Sequence, residues 1–564
     1  MKINLRWQLL LAMVGFVLAA ALLSYQVRVE EFQAAAACTA TVPATGGAFT
    51  EGVVGTPRRL NPLFSDPFPI ERDLVNLVFE GLTRVNEKGV LEPALAQSWV
   101  VSDDGRIVTF TLRQDVVWHD GQPFTAADVA YTYGLIQQEG FPGPAALAQL
   151  WHEVGINQVD DFTIAFALPE PFSPFLEATT RGILPVHVLA GVTAAELANH
   201  PFNQEPIGTG PFMVTAGQNW PQTNRLKLTP NPQQMPQESR LASLEFQFFP
   251  DEISLLEAFS ADEIQSINRV SAAALPELAA FPGVRFLTAP EPHYSTLLFN
   301  LGGLNPTLLS EKGLRQGLAY ALDREALVDT AVNGQGLVMN GPYPNTSWAY
   351  NPMLTSPYAT NLISATAVLD ESGWTIPVTG TIRQKDGVAL ALTLVGLDTP
   401  TNQTLTGLIA EQWGQAGTAV TVSLQSDFPS LRQVLADGAF DAALVDIAPP
   451  SDPDLYDFWS QEAIIRGQNF GGWNNRRASE ALEQGRQVWE LDERRPYYDT
   501  FLRQFNNDLP AIPLYQHVYT YALSPLVHGA EIGRIDQPRD RYETWANWFL
   551  HYQEIPINCP ETES

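Results

Sequence analysis

Residues 91–133 read LEPALAQSWVVSDDGRIVTFTLRQDVVWHDGQPFTAADVAYTY, and this stretch decides the fold. It holds no metal cluster, nucleophile triad or phosphate loop. It alternates turns and strands and then starts a helix. Asp103-Asp104-Gly105 is a turn signal. Val108, Phe110 and Leu112 alternate with Thr109 and Thr111, the period of a half-buried strand. Asp120-Gly121 marks a second turn. Thr125, with Asp128 three residues on, predicts a capping box, and Val129, Tyr133 and Ile136 then fall on one helical face. The local pattern is that of an α+β domain.

The whole chain sets the outer bounds. At 564 residues it is too long for one core, so two or more domains are expected. The formal charge of −30 repels phosphate backbones and argues against nucleic-acid binding. Cys38 and Cys559 lie near opposite ends, with no CxxC or Cys/His ligand spacing, so no structural zinc is expected. The pair is a disulfide candidate that suits an oxidising exterior; a lipid anchor on Cys38 and two free thiols are the other readings.

Lys2 and Arg6 precede a charge-free run over residues 7–27, which are 21 residues, and about 20 suffice to cross a bilayer. The predicted element is an uncleaved N-terminal membrane anchor, with cleavage or lipidation as the alternative. Positive charge ahead of it places that end in the cytoplasm and the rest of the chain outside. Residues 28–47 read as a small-residue tether, with folded sequence from about Ala48. Strand and helix signals then mix throughout, which predicts an α/β or α+β architecture.

The order of motifs is the informative part. Ala94-Leu95-Ala96, Trp99, Asp103-Asp104-Gly105, Phe110-Thr111-Leu112-Arg113, His119-Asp120-Gly121 and Thr125-Ala126-Ala127-Asp128-Val129 follow one another. Further along come Ile207-Gly208-Thr209-Gly210-Pro211-Phe212, Phe299-Asn300-Leu301, the helix signal Leu314 to Arg324, Gly341-Pro342-Tyr343-Pro344 and Trp473-Asn474-Asn475. Leu509-Pro510-Ala511-Ile512-Pro513-Leu514-Tyr515 closes the series. Together they resemble the bacterial extracellular solute-binding proteins of family 5, the peptide- and nickel-binding receptors of ABC importers.

That resemblance implies a two-lobed clamp of the periplasmic-binding-protein type II class. Lobe I would hold residues 48–292 plus 513–553, with an extra subdomain over about 82–203. Lobe II would hold 293–512, and 554–564 would form a tail. It also implies an extracytoplasmic receptor, periplasmic or extracellular. That receptor would act as a monomer, capture an oligopeptide or dipeptide by lobe closure, and hand it to permease and ATPase subunits. No cofactor or metal is expected. A tethered extracellular hydrolase and a ligand sensor using the same clamp are the alternatives.

Chemistry-bearing motifs are few. None of the eight histidines is spaced as HExxH, no GxSxG elbow occurs, and the Gly208–Gly210 turn lacks the lysine and helix of a phosphate loop. No enzymatic activity is predicted. Asp446 follows an apolar strand signal, and in peptide-binding relatives an aspartate after this strand holds the ligand's α-amine. The link to the next Asp-Pro is longer here, so Asp446 and Asp452 are both candidates. Trp473 and Asn474 are candidates for a cleft wall, and Arg59 and Asn61 for the segment that meets ligand near the start of the fold.

Overall fold

The opening stretch folds as its pattern predicts. Strand Ile107–Leu112 buries Val108, Phe110 and Leu112 and pairs antiparallel with Ala96–Val101 and Thr163–Ala167. Gly155–Asp160 completes a four-stranded sheet. The turn into the strand uses Gly105 at φ +71°, a left-handed value that side chains resist. Helix Ala126–Ile136 starts at the expected capping box, where Asp128 Oδ2 accepts the Thr125 backbone N–H at 2.9 Å. This computed structural model describes residues 5–34, 38–86, 89–234, 240–302, 307–532 and 538–557.

The signature motifs turn out to be scaffolding. The His119 ring accepts the Gly208 backbone N–H at 3.1 Å and donates to the Gly210 carbonyl at 3.0 Å. Burial lowers the pKa of His119, which keeps the ring neutral for both roles. A Cβ on Gly208 would sit 1.8 Å from the Val78 carbonyl oxygen, and one on Gly210 2.6 Å from the Val78 carbonyl carbon. The glycines are there to let two backbones touch.

The body is built on one mixed sheet. Its strand order is Ala419–Gln425, Ala391–Leu397, Ala442–Ile447, Arg285–Phe299, Ala511–Leu523, Ser266–Ile267, Ala48–Val54, Ser243–Phe249, Arg225–Pro230, Phe212–Val214. Arg285–Phe299 and Ala511–Leu523 are long, antiparallel and central. Each serves two cores. Ala289, Tyr519 and Tyr521 pack with Phe49, Phe110, Tyr133 and Trp545. Leu297, Leu514 and Tyr515 pack with Leu318, Leu369 and Trp413, and Tyr294 with Trp473 and Phe501. These two crossing strands therefore join two bodies, lobe I and lobe II. Their register slips between Pro290↔Val518 and Tyr294↔Gln516, so residues 291–293 bulge at the crossing.

Lobe I is pinned behind the crossing by a buried charge network. Arg541 donates to both Asp73 oxygens at 2.9 and 2.8 Å and to Glu51 Oε1 at 2.5 Å. Tyr521 and Tyr542 hydroxyls each donate to Glu51 Oε2 at 2.6 Å.

Both chain ends differ from expectation. The predicted tether and tail carry structure: strand Cys38–Pro43 pairs antiparallel with Tyr552–Ile557, setting Cys38 opposite Ile557. A partner more than 500 residues away leaves no local signal, so the pairing was illegible. Cys559 lies outside the described residues. A helix runs over Leu5–Ala34, with Met13, Phe16, Leu22 and Leu23 exposed. Among the described residues, however, no helix is long and apolar enough to cross a membrane, so the structure does not support the anchor expected over residues 7–27. The helix backbone continues past residue 27 to Ala34.

Candidate functional site

The bulge at the crossing gathers polar side chains between the lobes. Glu291, His293 and Ser295 are spaced two apart, the period of one strand face. His517 comes from the second crossing strand, and Asp446 from the end of Ala442–Ile447, where Ser295 and Asp446 are register partners. Ser295 Oγ donates to Asp446 Oδ1 at 2.5 Å and lies 2.9 Å from His517 Nε2. His517 Nε2 is 3.4 Å from Asp446 Oδ1, and the His517 and His293 rings stack at 4.2 Å. Arg269 pairs with Glu291 at 2.9 Å, which satisfies that carboxylate.

These groups differ in what they have left to offer. The Asp446 side chain is 58% open, although its Oδ1 is engaged. Partial desolvation favours its neutral form, but the hydrogen bonds and charge of His517 and Ser295 outweigh it and hold the carboxyl below the usual aspartate range. Burial, with His517 adding to it, pushes the His293 pKa down to about 4, so that ring is neutral at pH 7. Asp446 thus presents a fixed negative charge to the space between the lobes.

Serine, histidine and aspartate in contact invite comparison with a nucleophile triad, and the geometry differs. In a triad the carboxylate orients the histidine through the nitrogen opposite the one that meets serine. Here Ser295 and Asp446 meet the same nitrogen, and the serine proton goes to the carboxylate. The arrangement fixes a charge and activates no nucleophile. Among the described residues there is no group of three or more His, Cys, Asp or Glu side chains able to hold a metal ion.

A second interlobe contact lies away from the crossing. Glu177, on the short helix Phe175–Ala178 of the subdomain, accepts the backbone N–H groups of Ser451 and Asp452 at 2.8 and 2.9 Å. Beside it, the Ser173 backbone N–H donates to the Arg486 carbonyl at 2.7 Å, and the Arg486 guanidinium lies 5.0 Å over the Phe172 ring. A Cβ on Gly105 would stand 3.1 Å from Trp489 Nε1, so the opening turn also abuts lobe II.

Burial, reinforced by the Asp452 carboxylate and opposed by the two N–H bonds, pushes the Glu177 pKa up to about 7. A Glu177 freed by lobe separation would return toward the ordinary glutamate range. The clasped state therefore binds the proton more tightly. Its pH-dependent stabilisation is fully present below the ordinary glutamate range and is lost as pH rises through about 7. Interlobe distance, followed by fluorescence transfer between dyes on the two lobes, should increase on raising the pH from 5 to 8. Glu177→Gln should flatten that profile; an unchanged profile would remove Glu177 from the account.

The remaining candidates are placed as follows. Asp452 is fully committed: Arg494 donates to both its oxygens at 2.6 and 2.7 Å, with 2% and 4% of the two side chains exposed. The structure thus separates the two aspartates and leaves Asp446 as the open one. Asn61 is fully buried, bonding Asn203 and accepting the Leu63 backbone N–H. Arg59 donates to the Ala198 carbonyl and lies over the Phe64 ring. Trp473 is a core residue whose indole N–H donates to Asp508 at 3.0 Å, and Asn474 accepts from Gln461 at the surface. The candidates therefore do not form one site. Ser295, His293, His517 and Glu177 went unselected because they meet partners some 150 to 270 residues away. The alternation Glu291, His293, Ser295 ahead of an apolar strand end was the one available signal.

Comparison with known proteins follows the same lines. The profile of bacterial extracellular solute-binding proteins, family 5 Middle, matches residues 90–463. The oligopeptide-binding protein AppA of Bacillus subtilis is 25% identical over 479 residues, 84% of this chain and 87% of that protein. The dipeptide-binding protein of Escherichia coli is 23% identical over 470 residues, 77% of this chain and 84% of that protein. Among solved structures, HbpA2 from Haemophilus parasuis matches with TM-score 0.76 at 22% identity, covering 90% of this chain and all of the other. Bacillus subtilis AppA with a bound nonapeptide matches with TM-score 0.67 at 24% identity over 90% of this chain and all of the other. These likenesses show a two-lobed α/β fold.

Proposed function

Because this chain belongs to the bacterial extracellular solute-binding proteins of family 5, we propose that it is the extracytoplasmic capture subunit of an ABC importer and takes an oligopeptide between its lobes. The observation that carries the ligand reading is the open Asp446 carboxylate, held ionised at the crossing of the two lobes. An ammonium such as a peptide's α-amine is its natural partner, because a charge-assisted bond gains strength once closure excludes water. Oligopeptide- and dipeptide-binding relatives support the same solute class.

The mechanism is conformational. Solute touching both lobes binds the closed state better than the open one, and this differential affinity shifts the equilibrium. Permease and ATPase subunits would read the closed surface and supply the energy. The exposed apolar side chains of helix Leu5–Ala34 suit a tether at the membrane face.

Mass spectrometry of solute released by denaturing the purified chain, then calorimetry with that solute, tests the reading. A peptide bound one-to-one is expected. Tight binding of a solute that lacks any amine, with peptides inert, would overturn it. The same preparation reports the tether, since the full chain should need detergent where a chain starting at Ala48 does not.

A further inference from the structure

Between the subdomain and lobe II lies a cavity of about 260 Å³ that neither core requires. One wall is Val90, Leu91, Trp99, Val101 and Leu176; the other is Trp348, Trp489 and Leu491. Trp99 and Val101 sit on the edge strand Ala96–Val101 of the four-stranded sheet, where both pack against the lobe I core, the Trp99 ring 6.1 Å from that of Phe110, and also line the cavity.

The charged groups in the lining are already satisfied by the protein, whereas the Trp489 indole N–H is buried without a partner. Both Asp452 oxygens take Arg494, whose Nε donates to the Gly485 carbonyl and whose Nη2 also reaches Tyr498. Ser173 Oγ donates to the Arg486 carbonyl. The Glu490 side chain, at the exposed rim, is outside this internal set. What the cavity offers an occupant is therefore mostly aromatic contact, with the unpartnered Trp489 indole N–H in its lining. Its volume, open to solvent at the Glu490 rim, has room for an indole.

We infer that this cavity is a second binding site, for a planar apolar group of indole or phenyl size. The group would come from an aromatic side chain of the captured peptide or from a free aromatic molecule. In its peptide form the inference rests on the capture reading above. An occupant touches Trp99 on one body and Trp348 on the other, beside the Glu177 clasp, so filling the site favours the engaged lobes.

Calorimetry on the ligand-stripped full chain tests this with three probes: indole, Ala-Ala-Ala-Ala and Ala-Trp-Ala-Ala. Indole should bind, and the tryptophan peptide should bind about tenfold to hundredfold tighter than its alanine match. Val101→Trp, which fills the space, should abolish indole binding and the preference while keeping alanine-peptide affinity. Trp99→Ala should weaken both by roughly tenfold. Thermal melts establish that each variant folds, and indole binding to the unaltered chain needs no variant at all. Indole binding without peptide preference upholds the site and assigns it to a free aromatic. Indole binding with both peptides inert upholds the site while sinking peptide capture. No indole binding together with equal peptide affinities overturns the inference.

Discussion

Arg541→Met should destabilise lobe I by about 3–5 kcal/mol, the range found when one partner of a buried ion pair is removed. Arg541 and Glu51 have fully buried side chains and Asp73 is 4% exposed, so no water replaces the lost guanidinium. Burial disfavours the arginine's charge, but Asp73 and Glu51 outweigh it and raise its pKa further. Without it, two carboxylates face each other in a dry site and at least one must take a proton to fold. The variant should therefore gain stability as pH falls from 7 to 5, because its carboxylates would titrate higher folded than unfolded. The expected result is an early unfolding transition, separate from that of lobe II, in calorimetric melts. Arg541→Lys, which keeps the charge and loses the two-pronged geometry, should fall between. A single unshifted transition in Arg541→Met would show that the network is dispensable.

That network bears on capture because of where it sits. Tyr521 is in the second crossing strand, and Glu51 is in the strand Ala48–Val54. The Tyr519 hydroxyl donates to Asn268 at 3.2 Å, and Asn268 donates to Asp73 at 3.1 Å. The lobe I end of strand Ala511–Leu523 is thus fixed, while the bulge at residues 291–293 bends its partner strand Arg285–Phe299 at the crossing.

Local structure was legible in the sequence, and the site was not. The alternation over residues 108–112, the Gly105 turn and the Thr125–Asp128 cap each obey a rule spanning a few residues, and each formed as read. The helix signal from Leu314 to Arg324 formed only in part: helix Lys312–Tyr320 buries Leu314 and Leu318, and Asp323 caps the next helix, Arg324–Ala331. The family resemblance carried the architecture further than periodicity did, because its glycines and His119 hold backbones together wherever the fold recurs. Those motifs mark the scaffold, and so they drew attention to Asn61, Arg59 and Trp473, which serve packing. The groups that face the interlobe space are set by register: Ser295 meets Asp446 because strand Arg285–Phe299 pairs with Ala442–Ile447. Register across 150 residues has no signature in one sequence. Asp446 was selected by its place at a strand end. That Asp452 is committed to Arg494, on a helix 42 residues on, was not legible either.

Asp446→Asn should weaken capture of a peptide with a free α-amine by about thirtyfold, roughly the 2 kcal/mol at the low end for losing one partner of a desolvated charge pair. The low end applies because this carboxylate is 58% open before solute arrives and so loses hydration on binding. Asparagine keeps the shape and an oxygen for Ser295, so the strands should stay paired and the melting temperature should hold. N-acetylation of the peptide should cost the unaltered protein a similar factor and the variant little, since each change removes the same pair. His293 is neutral at pH 7, and the Glu291 charge is taken by Arg269, so neither should substitute for Asp446. Equal losses on acetylation in both proteins would place the amine elsewhere, with Glu177 then the carboxylate to change next. Among the described residues Glu177 meets lobe II through two backbone N–H groups and pairs with no arginine.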